Sequence, residues 1–183
     1  MATARATSSY LSGREEVRRR ELVWGRVREP PAPLWDHQAV VMRTAVALDA
    51  HVSAGRLGRV SIAPLDVVLD EARALILQPD LVFIAESRMG IVRGQVWGAP
   101  DLVVEVQSPY TEARDRTVKL RWYLQYGVRE YWLMNPARRR ITIVTRAPGG
   151  RVRHRAFSGD APVVSTVLPG LATPASHFFT NGM

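Results

Sequence analysis

Three acids and one amide stand at the ends of apolar runs: Asp80, Asp101, Glu105 and Gln107. Carboxylates in such places can hold a divalent cation or move a proton. Geometry sorts them. If the runs 80–84 and 102–106 pair as antiparallel strands, the start of one lies beside the end of the other, and Asp80 neighbours Glu105. At about 3.3 Å per residue, Asp101 and Glu105 share a face but sit roughly 13 Å apart. They cannot share one ion, whose oxygen ligands lie about 2–2.5 Å away. Asp80 with Glu105 is the metal-capable pair, and Asp101 begins the strand or caps the turn after Pro100. Gln107 points to the same face as Glu105, about 6.6 Å further on. Two carboxylates, a backbone carbonyl and an amide favour a hard cation such as Mg²⁺.

One lysine, Lys119, stands against 24 arginines. Arginine supplies generic positive charge at least as well, so what lysine adds is a compact ammonium with three donors. Lys119 follows the 102–106 run on a helix from which it can reach back over the strand end. An ammonium there, beside a cation, is what phosphodiester hydrolysis needs, because it stabilises the developing charge or orients the water. Each residue also has a plainer role open to it. Asp80 after Pro79 can start a strand, Glu105 can pair with an arginine, and Lys119 can form an i,i+4 pair with Asp115.

At 183 residues the chain fits one domain able to bury a sizeable core. It has no cysteine, which excludes disulfides, thiolate zinc sites and cysteine nucleophiles. No apolar stretch approaches the roughly 18 residues of a membrane span, and the start lacks a hydrophobic signal region; a cytoplasmic protein is expected. A net charge of +8 permits an anionic partner such as nucleic acid without demanding one.

The elements that must position these residues follow from pattern. Residues 1–13 read as a flexible tail preceding a single domain at 14–183. Glu21 to Val27 predicts a strand that ends at Pro30-Pro31. Asp36 to Ala54 predicts an amphipathic helix, with Ala39, Val40, Met42, Ala45, Val46 and Leu48 on the apolar side, Asp36 as N-cap and Gly55 as its stop. Val60–Leu69, Leu75–Ile84 and Leu102–Val106 are strands covered on both faces. The 16 residues from Ala85 to Pro100 are long for bare loop and predict a short element or a flap over a site. Thr111–Tyr126 is a helix closed by Gly127, with Trp122, Tyr123 and Tyr126 as core. Val128–Met134, Arg140–Thr145 and Arg151–Phe157 are strands, the last two joined by a turn at Pro148-Gly149-Gly150, before a short segment near Ala175–Phe179. The order is that of an α/β (α+β) protein with a mixed sheet.

Pro79-Asp80, then Glu105-Val106-Gln107 after a strand-forming run, resembles the PD-(D/E)XK nuclease superfamily. More closely, Gln78-Pro79-Asp80-Leu81, the run from Gly98 to Val106, Ser108-Pro109, Lys119, Tyr123, Gly127-Val128-Arg129-Glu130-Tyr131-Trp132 and Asn135-Pro136 resemble the Uma-two family of restriction endonuclease-like proteins. The resemblance spans roughly 20–178. It implies a restriction endonuclease-like αβββαβ core with an added C-terminal β-hairpin. It further implies metal-dependent hydrolysis of DNA, with Mg²⁺ (or Mn²⁺) held by Asp80, Glu105 and the Val106 carbonyl. Gln107 takes the place of the motif lysine, so Lys119 on the helix would supply the missing ammonium. Relatives in the superfamily put an acid on the first core helix, where His37 could serve as ligand or base, or stand as an ordinary first-turn residue. Glu21 could lie near the same site, although a surface acid beside Arg20 is the expectation. The arginines between Arg138 and Arg155 could meet phosphates, but a solvated face is expected of them. DNA is the implied partner, and two-strand cutting would suit a two-fold homodimer. A catalytically idle descendant that binds nucleic acid or a protein stays open, because Gln107 breaks the signature.

Overall fold

A computed structural model describes residues 2–12, 19–108 and 114–179 of the chain. In chain order the elements are α1 (Ala2–Ser12), β1 (Glu21–Val23), β2 (Arg26–Arg28), α2 (Trp35–Gly55), β3 (Gly58–Ile62), β4 (Val67–Asp70), β5 (Leu75–Leu77) and β6 (Leu81–Ala85). A 3-10 turn (Glu86–Ile91) leads to β7 (Val92–Arg93), β8 (Gln95–Trp97) and β9 (Leu102–Val106). Then come α3 (Arg114–Tyr126), β10 (Glu130–Asn135), β11 (Arg140–Arg146), β12 (Val152–Ser158) and a closing 3-10 turn (Ala175–Phe178).

Two six-stranded sheets result. The larger runs β12-β11-β10-β9-β6-β3, and the smaller β2-β1-β5-β4-β8-β7. Strands β9 and β10 pair in parallel, Leu102 opposite Glu130 through Val106 opposite Met134, with α3 as the crossover that parallel pairing demands. Taken as α2-β3-β6-β9-α3-β10, this is the αβββαβ restriction endonuclease-like core, and the β11–β12 hairpin extends it at the β10 edge.

Helix α2 covers one face of the larger sheet. Its Val40, Leu48 and Val52 pack with Phe83, Val104, Trp132 and Phe178. The opposite face meets α3 and the smaller sheet through Val82, Val103, Tyr123, Tyr131, Val67 and Leu77. This double cover explains why β6 and β9 read as continuous apolar runs rather than alternating ones.

Several expectations need correction. The runs Val60–Leu69 and Leu75–Ile84 are not single strands: each divides between the two sheets, the first around Ala63-Pro64 and the second at Gln78-Pro79-Asp80. Proline has no N–H for a ladder, so the chain leaves one sheet and enters the other there. Likewise Glu21–Val27 is a hairpin turning at Trp24-Gly25. The first residues are a helix and not a loose tail, because Ala6, Tyr10 and Leu11 pack onto Leu22, Val68 and Ile76. In α2 the buried positions are His37, Val40, Val41, Thr44, Leu48 and Val52, whereas Met42 and Val46 face out. Asp36 lies inside the first turn, and Arg56, not Gly55, takes the left-handed C-cap position (φ 49°). The segment 85–100 does hold a short element, and it is tied to the start of β9, where Arg88 bonds the Ala99 carbonyl and Asp101. The Ser108-Pro109 break and the predicted helix start at Thr111 fall partly or wholly outside the described residues. Among the described residues no helix is long and apolar enough to cross a membrane.

Candidate active site

The register of β6 against β9 sets Leu81 opposite Val104. One step further along the same pairing, Asp80 stands beside Glu105. The two strands are locked at this point by the Val106 N–H, which donates to Asp80 Oδ2 at 2.7 Å. Three further elements converge here. Helix α2 brings His37 Nε2 to 3.2 Å from Asp80 Oδ2, and the segment before β1 brings Arg19 Nη2 to 2.8 Å from Asp80 Oδ1. Helix α3 brings Lys119 Nζ to 3.6 Å from Glu105 Oε1 and 2.7 Å from Glu21 Oε1. One turn later, the Tyr123 hydroxyl donates to Glu105 Oε1 at 3.1 Å. Positions i and i+4 of a helix share a face, so one helical stripe supplies both partners of Glu105.

The structure thus brings Asp80, Glu105, Lys119, His37 and Glu21 into one cluster. Glu21 is a correction: it is buried, at 5 % exposure, and also accepts from the Gln78 N–H, so it is not a surface acid. Lys119 turns to these two glutamates; the side chain of Asp115 lies outside what is described. Gln107 lies at the open end of β9, where its Oε1 accepts from Asn135 Nδ2 at 2.7 Å. That bond leaves the amide nitrogen as its free end, and Gln107 Nε2 is buried with no hydrogen-bond partner among the described residues. Asp101 sits apart, fully buried, clamped by the Ala85 N–H, Arg88 and Arg129. Its surroundings anchor the start of β9 and contain none of the cluster. The arginines of β11 and β12 are exposed, with Arg155 bonded to the Val164 carbonyl and lying over Phe157.

Sequence reasoning gave Arg19 no role and read Tyr123 as core, not as a partner of Glu105. That partnership could have been read, since the spacing of Tyr123 from Lys119 places it on the same face as the lysine. Arg19 had no signal: it is one of many arginines, and only the chain path between α1 and β1 brings it to Asp80.

Three carboxylates share this small volume with two permanent cations and a histidine. Burial alone would raise the pKa of Asp80, but the His37 hydrogen bond and the Arg19 charge outweigh it and hold Asp80 below the usual range. Glu105 goes the other way. Burial pushes it up to about 7, with Lys119 pulling down and the Asp80 charge adding to the rise. Burial opposes the charge on Lys119, yet Glu105 and Glu21 more than compensate and bind the proton more tightly than in water. His37 is raised for the same reason: burial works against its charge, and Asp80 wins. Arg19 and Lys119 are therefore held in their charged forms, and Glu105 is poised near neutrality.

The donor set suits a hard divalent cation: two adjacent carboxylates, with the Val106 carbonyl at the same strand end. The orphaned Gln107 nitrogen and a buried Arg19 Nε without a hydrogen-bond partner among the described residues mark unfilled polar positions beside them. Against this, both Asp80 oxygens are already engaged, one by Arg19 and one by His37 and the Val106 N–H. Among the described residues no group of three or more histidine or acidic side chains is arranged to hold a metal. The chemistry fits a cation, provided Arg19 yields its place.

Comparison with known proteins follows the same line. A family model described as "Uma2: Putative restriction endonuclease" matches residues 9–176. A solved structure entitled as a putative nuclease belonging to DUF820, from Anabaena variabilis ATCC 29413, superposes with a TM-score of 0.76. It is 20 % identical in sequence, and the match covers 94 % of this chain and 96 % of that one. No curated protein matches the chain.

Proposed function

The chain belongs to the Uma2 family, and from that premise and the strand-end cluster we propose a Mg²⁺- or Mn²⁺-dependent endonuclease that hydrolyses DNA phosphodiester bonds. One observation carries the reading. The chain's single lysine is buried at the cluster, in reach of Glu105 and Glu21, where any of 24 arginines would have served for plain charge.

Asp80, Glu105 and the Val106 carbonyl would hold the cation, with His37 beside Asp80. When bound, such a cation activates water and offsets charge on the scissile phosphate. The rest belongs to the chain. The Lys119 ammonium faces the phosphate and stabilises the charge that develops there; Glu21 and Glu105 keep it protonated. Tyr123 fixes one oxygen of Glu105, which leaves the other to face the reaction. Gln107, turned by Asn135, presents its N–H to a phosphoryl oxygen. Arg19 must leave Asp80 for the cation to enter. We place the protein in the cytoplasm, acting on DNA as a two-fold dimer when both strands are cut.

A second reading has its own support: an idle nuclease fold that binds nucleic acid or a protein partner. Arg19 and His37 already neutralise Asp80, and Gln107 stands where the superfamily keeps a lysine. Supercoiled plasmid incubated with Mg²⁺ or Mn²⁺ decides between them. Nicking by the wild type that disappears in Glu105→Ala supports the nuclease; an inert wild type with both metals favours the idle fold.

A further inference from the structure

A cavity of about 160 Å³ opens directly beside the cluster, floored by Lys119 and Glu21 and walled by Trp24, Trp122 and Arg28. Trp24 is the anomaly. It occupies the first loop position of the two-residue β1–β2 hairpin at φ 52°, followed by Gly25 at φ 78°. Such a turn favours asparagine, aspartate or glycine at that first position, and a bulky aromatic there is strained. Nor is the strain offset by full burial, because Trp24 keeps 42 % of its surface exposed. Its ring stands edge-on to Trp122, with centroids 5.5 Å apart and planes at 89°. That contact props the indole at the cavity rim.

We propose that this cavity is a nucleotide subsite, taking one unpaired DNA base on the Trp24 face next to the phosphate at Lys119. The proposal rests on the nuclease reading of the cluster and adds a substrate class to it. A cavity of about 150 Å³ takes a benzene-sized ring, so this space is on the scale of a single heterocycle. A flat aromatic is sequence-tolerant, since every base has a π-face to stack. A base inside a duplex has its faces covered by its neighbours, so this wall selects unstacked nucleotides: single strands, flaps or frayed ends. Arg28, on the adjacent strand, supplies a guanidinium for a flanking phosphate.

The test is fluorescence anisotropy of the full chain in EDTA, with a labelled single-stranded oligonucleotide of about 12 nucleotides and the matching duplex. Trp24→Asn removes the indole while suiting the left-handed turn, so its melting temperature should not fall. The expected result is single strand bound more tightly than duplex by the wild type. Trp24→Asn should weaken single-strand binding about tenfold, with duplex binding changed less than about twofold, and Trp24→Phe should recover most of the loss. Wild-type binding of both forms with Trp24→Asn silent, or with duplex lost in proportion, overturns the subsite and leaves the nuclease reading standing. A wild type that binds neither form overturns the subsite, and cleavage in the presence of Mg²⁺ or Mn²⁺ remains the test of the nuclease reading.

Discussion

Arg19 Nη2 lies 2.8 Å from Asp80 Oδ1, so an arginine occupies the oxygen that the proposed cation would take. A guanidinium and a cation cannot share that position, and their exchange costs whatever the ion pair contributes. Arg19→Ala should therefore tighten Mn²⁺ binding, by about tenfold if the competing charge opposes the ion by ~1.4 kcal/mol. The same change removes a partner from a buried carboxylate and should lower stability by about 1–3 kcal/mol, with His37 covering the remainder. Calorimetric titration measures the first and denaturant unfolding the second. Unchanged Mn²⁺ affinity would show that Arg19 and the ion do not compete.

Lys119 separates a compact ammonium from generic charge. Lys119→Arg keeps the charge but spreads it over a wider plane, which cannot meet the Glu21, Glu105 and phosphate positions at once. Single-turnover cleavage at saturating metal should fall about a hundred- to a thousandfold. Lys119→Ala should cost more in folding than Lys119→Arg, because it strands two buried glutamates; about 3–5 kcal/mol is typical of such a loss. Equal cleavage rates for wild type and Lys119→Arg would reduce the single lysine to an accident of composition.

Glu105 gives the cluster a pH dependence. Its folded pKa is raised from 4.5 to about 7, mainly by burial. Between those values the folded chain binds more protons at this position than the unfolded one does. The resulting stability is fully present below about pH 4.5 and is lost as pH rises through about 7, at no more than ~1.4 kcal/mol per pH unit. Glu105→Gln should flatten that slope in a series of melting curves from pH 4.5 to 7.5. Cation binding runs the opposite way, since the ion competes with the proton: Mn²⁺ affinity should climb up to about pH 7 and then level. An affinity that stays flat across this range would remove Glu105 from the ligand set.

Much of this arrangement was legible in the chain, and the parts that were not have identifiable causes. The meeting of Asp80 and Glu105 followed from antiparallel pairing of two apolar runs, because a register between buried strands leaves little freedom. The αβββαβ order followed from the alternation of strand and helix patterns, with α3 long enough for a parallel return. Division of the strands between two sheets was not legible. Val60–Leu69 and Leu75–Ile84 are apolar throughout, and period alone does not mark where a covered strand changes sheet; the prolines at 64 and 79 held that information. Glu21 was misplaced for a related reason. Beside Arg20 it looks like a surface acid, and only the pairing of β1 with β5 turns it inward to Lys119. The contacts of Arg19 are wholly tertiary, with nothing local to announce them.

Tyr123 tests whether the cluster's geometry matters as much as its charges. The side chain is fully buried, its ring lies 5.7 Å from that of Tyr131, and its hydroxyl donates to Glu105 Oε1 at 3.1 Å. Tyr123→Phe keeps the ring and removes only that donor. The ionised form of Glu105 loses a hydrogen bond worth about 1.5–3 kcal/mol, so its pKa should rise further and Mn²⁺ affinity at pH 7 should fall, by about tenfold. Raising the pH should restore that affinity, whereas a collapsed site would stay weak at every pH. Titrations of wild type and Tyr123→Phe at pH 7 and pH 8.5 distinguish the two: a deficit that closes at the higher pH assigns Tyr123 to setting the charge on Glu105, and an equal deficit at both assigns it to packing alone.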